Sequence, residues 1–171
     1  MFTYLTEWSL KSRLKKQQAQ SSQQFISWDQ VKQVALIVDA KTAGSKQLLD
    51  NYIQQSKKHV DVYYVELGSK TPTFADWHCF TKQHKSLLNL PTEKALLGIK
   101  AEGVDLVINA CDDTNYFATA LASWLHPMMV CNSFETFNAS SLIIKKAEPF
   151  DLIVYLNNIT HYLKMIRLKQ A

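Results

Sequence analysis

The chain predicts an α/β domain, a three-layer sandwich with a mostly parallel sheet of five to six strands and helices on both faces, preceded by a basic N-terminal amphipathic helix. Three observations predict it. Short, continuous apolar runs are bounded by polar turn residues, as in strands buried on both faces. Segments with helical spacing alternate with these runs. Glycine and proline are scarce, at four each, which argues against a turn-rich all-β chain and against disorder.

In chain order, Phe2, Leu5 and Trp8 stand three residues apart and open a helix, with Leu10 and Leu14 beyond. A polar, low-complexity run, KQQAQSSQQ, follows at residues 16–24. Residues 1–28 are therefore read as a basic amphipathic helix with a polar linker, and 29–171 as a single α/β domain. VALIV (34–38) is a buried strand, and Leu48, Leu49, Tyr52 and Ile53 mark the next helix. VDVYYVEL (60–67) is a second strand, so the first two should pair in parallel through a helical crossover.

Thr71-Pro72 breaks the chain, Trp77–Phe80 reads as a short strand, and Thr92 caps a helix running to Lys100. VDLVINA (104–110) is a strand, and residues 115–125 form a helix with one apolar face. PMMVC (127–131) and residues 142–144 are short strands. Glu148-Pro149 opens a final helix with the stripe Leu152, Leu156, Ile159, Leu163, Ile166. The alternation is Rossmann- or flavodoxin-like. Leu36, Val38, Val62, Val65, Leu106, Ile108, Val130 and Ile143 are the expected core of the sheet.

Composition excludes several function classes. A formal net charge of +4 compels no nucleic-acid binding, and none is expected. Neither a secretory h-region nor a run of ~20 apolar residues is present. The three cysteines, Cys79, Cys111 and Cys131, lack zinc-knuckle or CxxC spacing and are expected to be buried free thiols in a reducing cytoplasm. The five histidines form no HxxxH or HExxH pair, so no metal is expected. Neither GxGxxG, GxxxxGK[ST] nor GxSxG occurs, so no cofactor is expected and no nucleophile motif is found.

In open parallel sheets, ligands sit beyond the carboxyl ends of the strands. The residues placed there are Asp39, Lys41, Thr42, Gly68, Ser69, Asn109, Asp112, Asp113, Thr114, Asn132, Ser133, Lys145 and Lys146, from which Asp39, Thr42, Asn109, Asp112, Asp113, Thr114 and Ser133 are singled out. They form the candidate ligand site, and the same residue types also serve as caps in strand-to-helix turns. Asp39, Asp112, Ser133 and Lys145 follow the residue order of a phosphorylated receiver domain. The spacing rules that reading out, because residues 134–141 leave little room for a crossover helix.

Phe2, Leu5, Trp8, Lys11 and Arg13 form the candidate interaction helix. Residues 1–16 hold four basic residues against Glu7, a net charge of +3. A helix of this length needs a surface to lie on. Three are available: its own domain (above all the final helix), a second copy in a homodimer, or an anionic bilayer. Packing on protein is expected. An exposed Phe2/Leu5/Trp8 face would instead favour the bilayer.

The order VALIVD, VDVYYVELG, CFTKQHKSLLNLP, VDLVINA and PFDLIVYLNNITHYLKMI resembles a family of small uncharacterised α/β proteins of Bacteroidetes, over residues 30–168. That resemblance implies a fold and no catalytic residues. Residues 104–144 are similar to part of the N-terminal lobe of heptosyltransferase-type glycosyltransferases, whose sugar-nucleotide lobe has no room in this chain; again only the fold is implied. The leading expectation is a non-enzymatic binding or interaction module. The alternatives are a binder or small enzyme for a sugar- or nucleotide-like molecule at the strand ends, and a peripheral membrane adaptor.

Overall fold

A computed structural model describes residues 2–18, 24–71, 74, 76–99, 103–135 and 140–166. Within these residues six strands form one all-parallel sheet: β1 (Gln33–Asp39), β2 (His59–Val65), β3 (His78–Phe80), β4 (Leu106–Asn109), β5 (Met129–Asn132) and β6 (Leu142–Ile143). Their order is β3-β2-β1-β4-β5-β6, that of a doubly wound sheet. Among the described residues five α-helices accompany them: α1 (Phe2–Gln18), α2 (Lys46–Ser56), α3 (Glu93–Leu97), α4 (Tyr116–Trp124) and α5 (Leu152–Met165).

Strand alternation divides the core into two layers. Val34, Leu36 and Val38 of β1, with Leu106 and Ile108 of β4, pack beneath Leu49 of α2 and Leu152, Leu156, Ile159 and Leu163 of α5. Ala35, Ile37 and Val107 face the other way, onto Leu96 of α3 and Phe117 and Leu121 of α4. The Tyr52 hydroxyl lies 2.8 Å from that of Thr160, tying α2 to α5. His78 and Cys79 alternate as the pleat requires. His78 stacks on Tyr63, whereas Cys79 joins the α2/α5 side.

Seven of the eight expected core residues are buried; Ile143 is 43% exposed. It lies on the two-residue edge strand β6, and the next residue, Ile144, turns inward instead. A one-residue shift changes the face a strand residue presents. The final helix starts later than the Glu148-Pro149 signal predicts. Asp151 is its N-cap and accepts from the Val154 amide at 3.0 Å, which leaves the cis Glu148–Pro149 bond in the approach to the helix.

α1 also departs from expectation. It forms an outer layer on α4, with Leu10 and Leu14 against Ala120, Tyr116, Leu88 and Leu90. The final helix is no partner, because α5 already packs on the opposite face of the sheet. Nor is α1 apolar on one side only. Leu5 and Trp8, expected to pack on protein, within the chain or across a homodimer, do not pack within the chain: they are 52% and 71% exposed, while Thr6, Leu10 and Leu14 point inward. The small Ala120 leaves room for the two leucines, and that contact sets the helix's rotation. The side chains of Phe2 and Arg13 lie outside the described residues.

Candidate functional site

The strand order reverses between β1 and β4. α2 leaves β1 toward one face and α4 leaves β4 toward the other. Diverging connections open a crevice beyond the carboxyl ends of the two strands. An open cleft of about 1170 Å³ lies there. Its walls are residues 39–41 after β1, 65–68 around the end of β2, and Asp112 with residues 114–117 after β4. Thr6 of α1, with Lys85, Leu87 and Asn89, completes the rim.

The turn after β1 is built by Asp39. Its Oδ1 accepts from the amides of Lys41 (3.0 Å) and Thr42 (3.1 Å) and from the Thr42 hydroxyl (3.0 Å). Its Oδ2 accepts from Asn115 Nδ2 at 3.2 Å. Asn115 caps α4 at the same time, its Oδ1 accepting from the Ala118 amide at 3.1 Å. One amide side chain therefore joins the two sides of the crevice.

Asp112 sits between two lysines. Lys146 Nζ is 3.0 Å from Oδ1 and Lys41 Nζ 3.5 Å from Oδ2. The Lys146 ammonium also donates to the Cys111 carbonyl at 3.1 Å and lies 4.9 Å from the Phe150 ring centre. The hydrogen bond from Lys146, then its charge and those from Lys41, hold the Asp112 carboxyl below its ordinary range. The neighbouring Cys111 thiol is fully buried; burial, and then the charge of Asp39, push its ionisation well up.

Beneath the cleft, Asn109 is fully buried, and its Oδ1 accepts from the Cys111 amide at 3.1 Å. Asn132 stands beside it in register on β5 and donates from Nδ2 to Ser140 Oγ at 2.6 Å. Among the described residues, Asn109 Nδ2 and Asn132 Oδ1 have no partner. α1 is tied to the site by Tyr116, whose hydroxyl donates to Glu7 Oε1 at 3.0 Å. Burial, and then Glu7, raise the Tyr116 phenol above its ordinary value.

The structure brings Asp39, Asp112 and Thr114 of the predicted set into the cleft. Thr42 is buried and bonded to Asp39. Asn109 lies under the surface, Asp113 faces solvent, and Ser133 follows β5, apart from the cleft lining. Sequence reasoning missed the roles of Asn115 and Tyr116, and placed Lys146 at a strand end without its pairing to Asp112. It also missed Glu66, Lys85, Leu87 and Thr6. Asn115 was legible as the residue opening a helix after a strand. The contributions of α1 and residues 85–89 had no sequence signal, because they arrive by tertiary packing.

A second hollow of about 550 Å³ lies by β3 and carries His78, His84 and Lys94. His84 is committed locally, its Nδ1 accepting from the Thr81 amide at 2.9 Å. Among the described residues, no three histidine, cysteine, aspartate or glutamate side chains converge as metal ligands.

A family of unknown function, DUF6913, matches residues 3–166, and the chain belongs to it. No curated protein and no solved structure matches the chain.

Proposed function

For a member of a family without an assigned activity the site itself must carry the reading, and we propose a non-enzymatic binding module whose switch-point cleft takes a neutral, sugar- or nucleoside-like molecule. The observation that carries this is the cleft's position and lining: it lies where the strand order reverses, and polar groups stand opposite apolar ones. Thr114 and Asn89 offer a hydroxyl and an amide for hydrogen bonds, while Leu67 and Leu87 offer apolar contact. The charged groups of the wall are Asp39, Glu66 and Asp112 against Lys41 and Lys85. Three acids against two bases disfavour a polyphosphate, and the β1–α2 turn lacks a glycine-rich phosphate loop.

Binding is favoured over catalysis by what the carboxylates already do. Both oxygens of Asp39 accept hydrogen bonds, and both oxygens of Asp112 face lysines. A general acid at neutral pH needs a raised carboxyl pKa, whereas that of Asp112 is lowered.

The test is calorimetry and thermal shift on the full chain with nucleosides, neutral sugars and their phosphorylated counterparts. A neutral ligand at about a hundred times its Kd should stabilise the fold by roughly 2.7 kcal/mol. Thr114→Ala and Lys41→Ala should weaken that binding and leave the unliganded melting temperature unchanged, since both side chains are exposed. Preference for the phosphorylated compounds, or binding unaffected by both substitutions, would sink the proposal.

A further inference from the structure

We propose that the outer face of α1 docks the protein onto an anionic lipid bilayer. Tyr4, Leu5 and Trp8 are 83%, 52% and 71% exposed. Lys11 and Lys15 are exposed as well. Positions 4, 8, 11 and 15 are separated by four, three and four residues, so they form one stripe along the helix, aromatic at its start and basic at its end. Three large apolar side chains grouped on one exposed face are more than the scattered surface residues of an ordinary soluble domain.

The inner face of α1 is already occupied. Leu10 and Leu14 are buried against α4, and Glu7 accepts from Tyr116. The exposed Tyr4, Leu5 and Trp8 are therefore surplus to the leucine contacts that seat the helix on the domain. Glu7 is the only acid in residues 2–18, against Lys11, Arg13, Lys15 and Lys16. A second copy laid face to face would set basic helix on basic helix with no acid to neutralise it. The complementary occupant is apolar and negatively charged.

A bilayer meets that description better than a folded partner. The face is the convex side of a single helix, which offers no groove for a peptide and suits a flat surface. Tyrosine and tryptophan prefer the headgroup level, where the ring is buried and its polar atom stays wet. Lysine stems reach along the interface and leave their ammonium groups among anionic headgroups. Leu88 and Leu90, in the turn under α1, pack against Leu10 and Leu14 and hold the helix in place from its inner side. Among the described residues no helix is long and apolar enough to cross a membrane, so the mode is attachment to the surface. The inference stands independently of the cleft's ligand.

The experiment is sedimentation of the full chain with phosphatidylcholine vesicles, with and without phosphatidylserine, alongside light scattering. At low salt the protein should pellet with the phosphatidylserine vesicles and be released by high salt. Trp8→Ala should lower partitioning by about ten-fold or more. Lys11→Gln and Lys15→Gln should each lower it by about five-fold. Trp8→Ala and Lys15→Gln should melt with the parent, because the side chains are exposed. Failure to pellet with anionic vesicles overturns the proposal, as does undiminished binding by Trp8→Ala. A homodimer that Trp8→Ala dissociates would assign the face to a second copy and overturn it equally.

Discussion

The two terminal helices meet the domain differently. α5 lies on the sheet and buries Leu152, Tyr155, Leu156, Ile159 and Leu163. α1 lies one layer further out, on another helix, and presents apolar side chains both inward and outward. Facing a broad apolar sheet, a helix does best with one wide apolar stripe, and its sequence shows it. Against a single narrow helix, two leucines suffice, and the remaining apolar residues are available for something else. Apolar spacing reports a burial face only when one surface receives all of it.

Core truncations give the sharpest separation of the two helices. Ile159→Ala removes a fully buried side chain between α5 and the sheet and should cost about 2–5 kcal/mol in denaturant unfolding. Leu10→Ala, equally buried, should cost roughly 2 kcal/mol, because an outer helix can settle into the gap. Equal losses would mean that α1 is as rigidly seated as α5, and the contrast between the layers would fail.

The polar ties come next. Tyr116→Phe deletes the hydrogen bond that anchors α1 through Glu7 and should lower stability by about 1 kcal/mol. Hydrogen exchange in α1 should rise while that in α5 stays constant. If both helices loosen together, α1 unfolds with the domain and is no separate layer.

The smallest effect concerns the ion pair between Lys146, ahead of α5, and Asp112. Asp112→Asn should cost at most about 1 kcal/mol at neutral pH, since the carboxylate is 41% exposed and water screens the pair. The folded state lowers the Asp112 pKa, so its contribution is present above the unfolded carboxylate value of about 3.9 and fades as pH falls through the folded one. The difference between variant and parent should thus shrink in acid. A gap that persists below that range would show that Asp112 acts through packing and not through charge.

Legibility in the sequence followed local chemistry. VALIV, VDVYYV and VDLVI announced themselves as strands because a strand buried on both faces is apolar over most of its length. Thr92 and Asp151 cap helices by bonds reaching only three residues ahead, yet the second was overlooked in favour of Pro149. The cleft was half legible. Asp39, Asp112 and Thr114 could be placed at strand ends from position alone, and Glu66, one residue past β2, follows from the parallel pairing with β1, whereas Lys85, Leu87 and Thr6 come from elements that the strand pattern does not bring together. Ile143 misled because it completes an apolar run, and only its place on an edge strand exposes it.

By itself the sequence determined that this is a parallel α/β domain with a basic helix ahead of it, since burial period, turn residues and charge act over a few neighbours. Tertiary structure alone decided the β3-β2-β1-β4-β5-β6 order, and with it the crevice between β1 and β4. It also decided that α1 rests on α4 with Trp8 turned outward. Those outcomes depend on which apolar surfaces compete for one another once every element has formed. No short window of residues contains that competition.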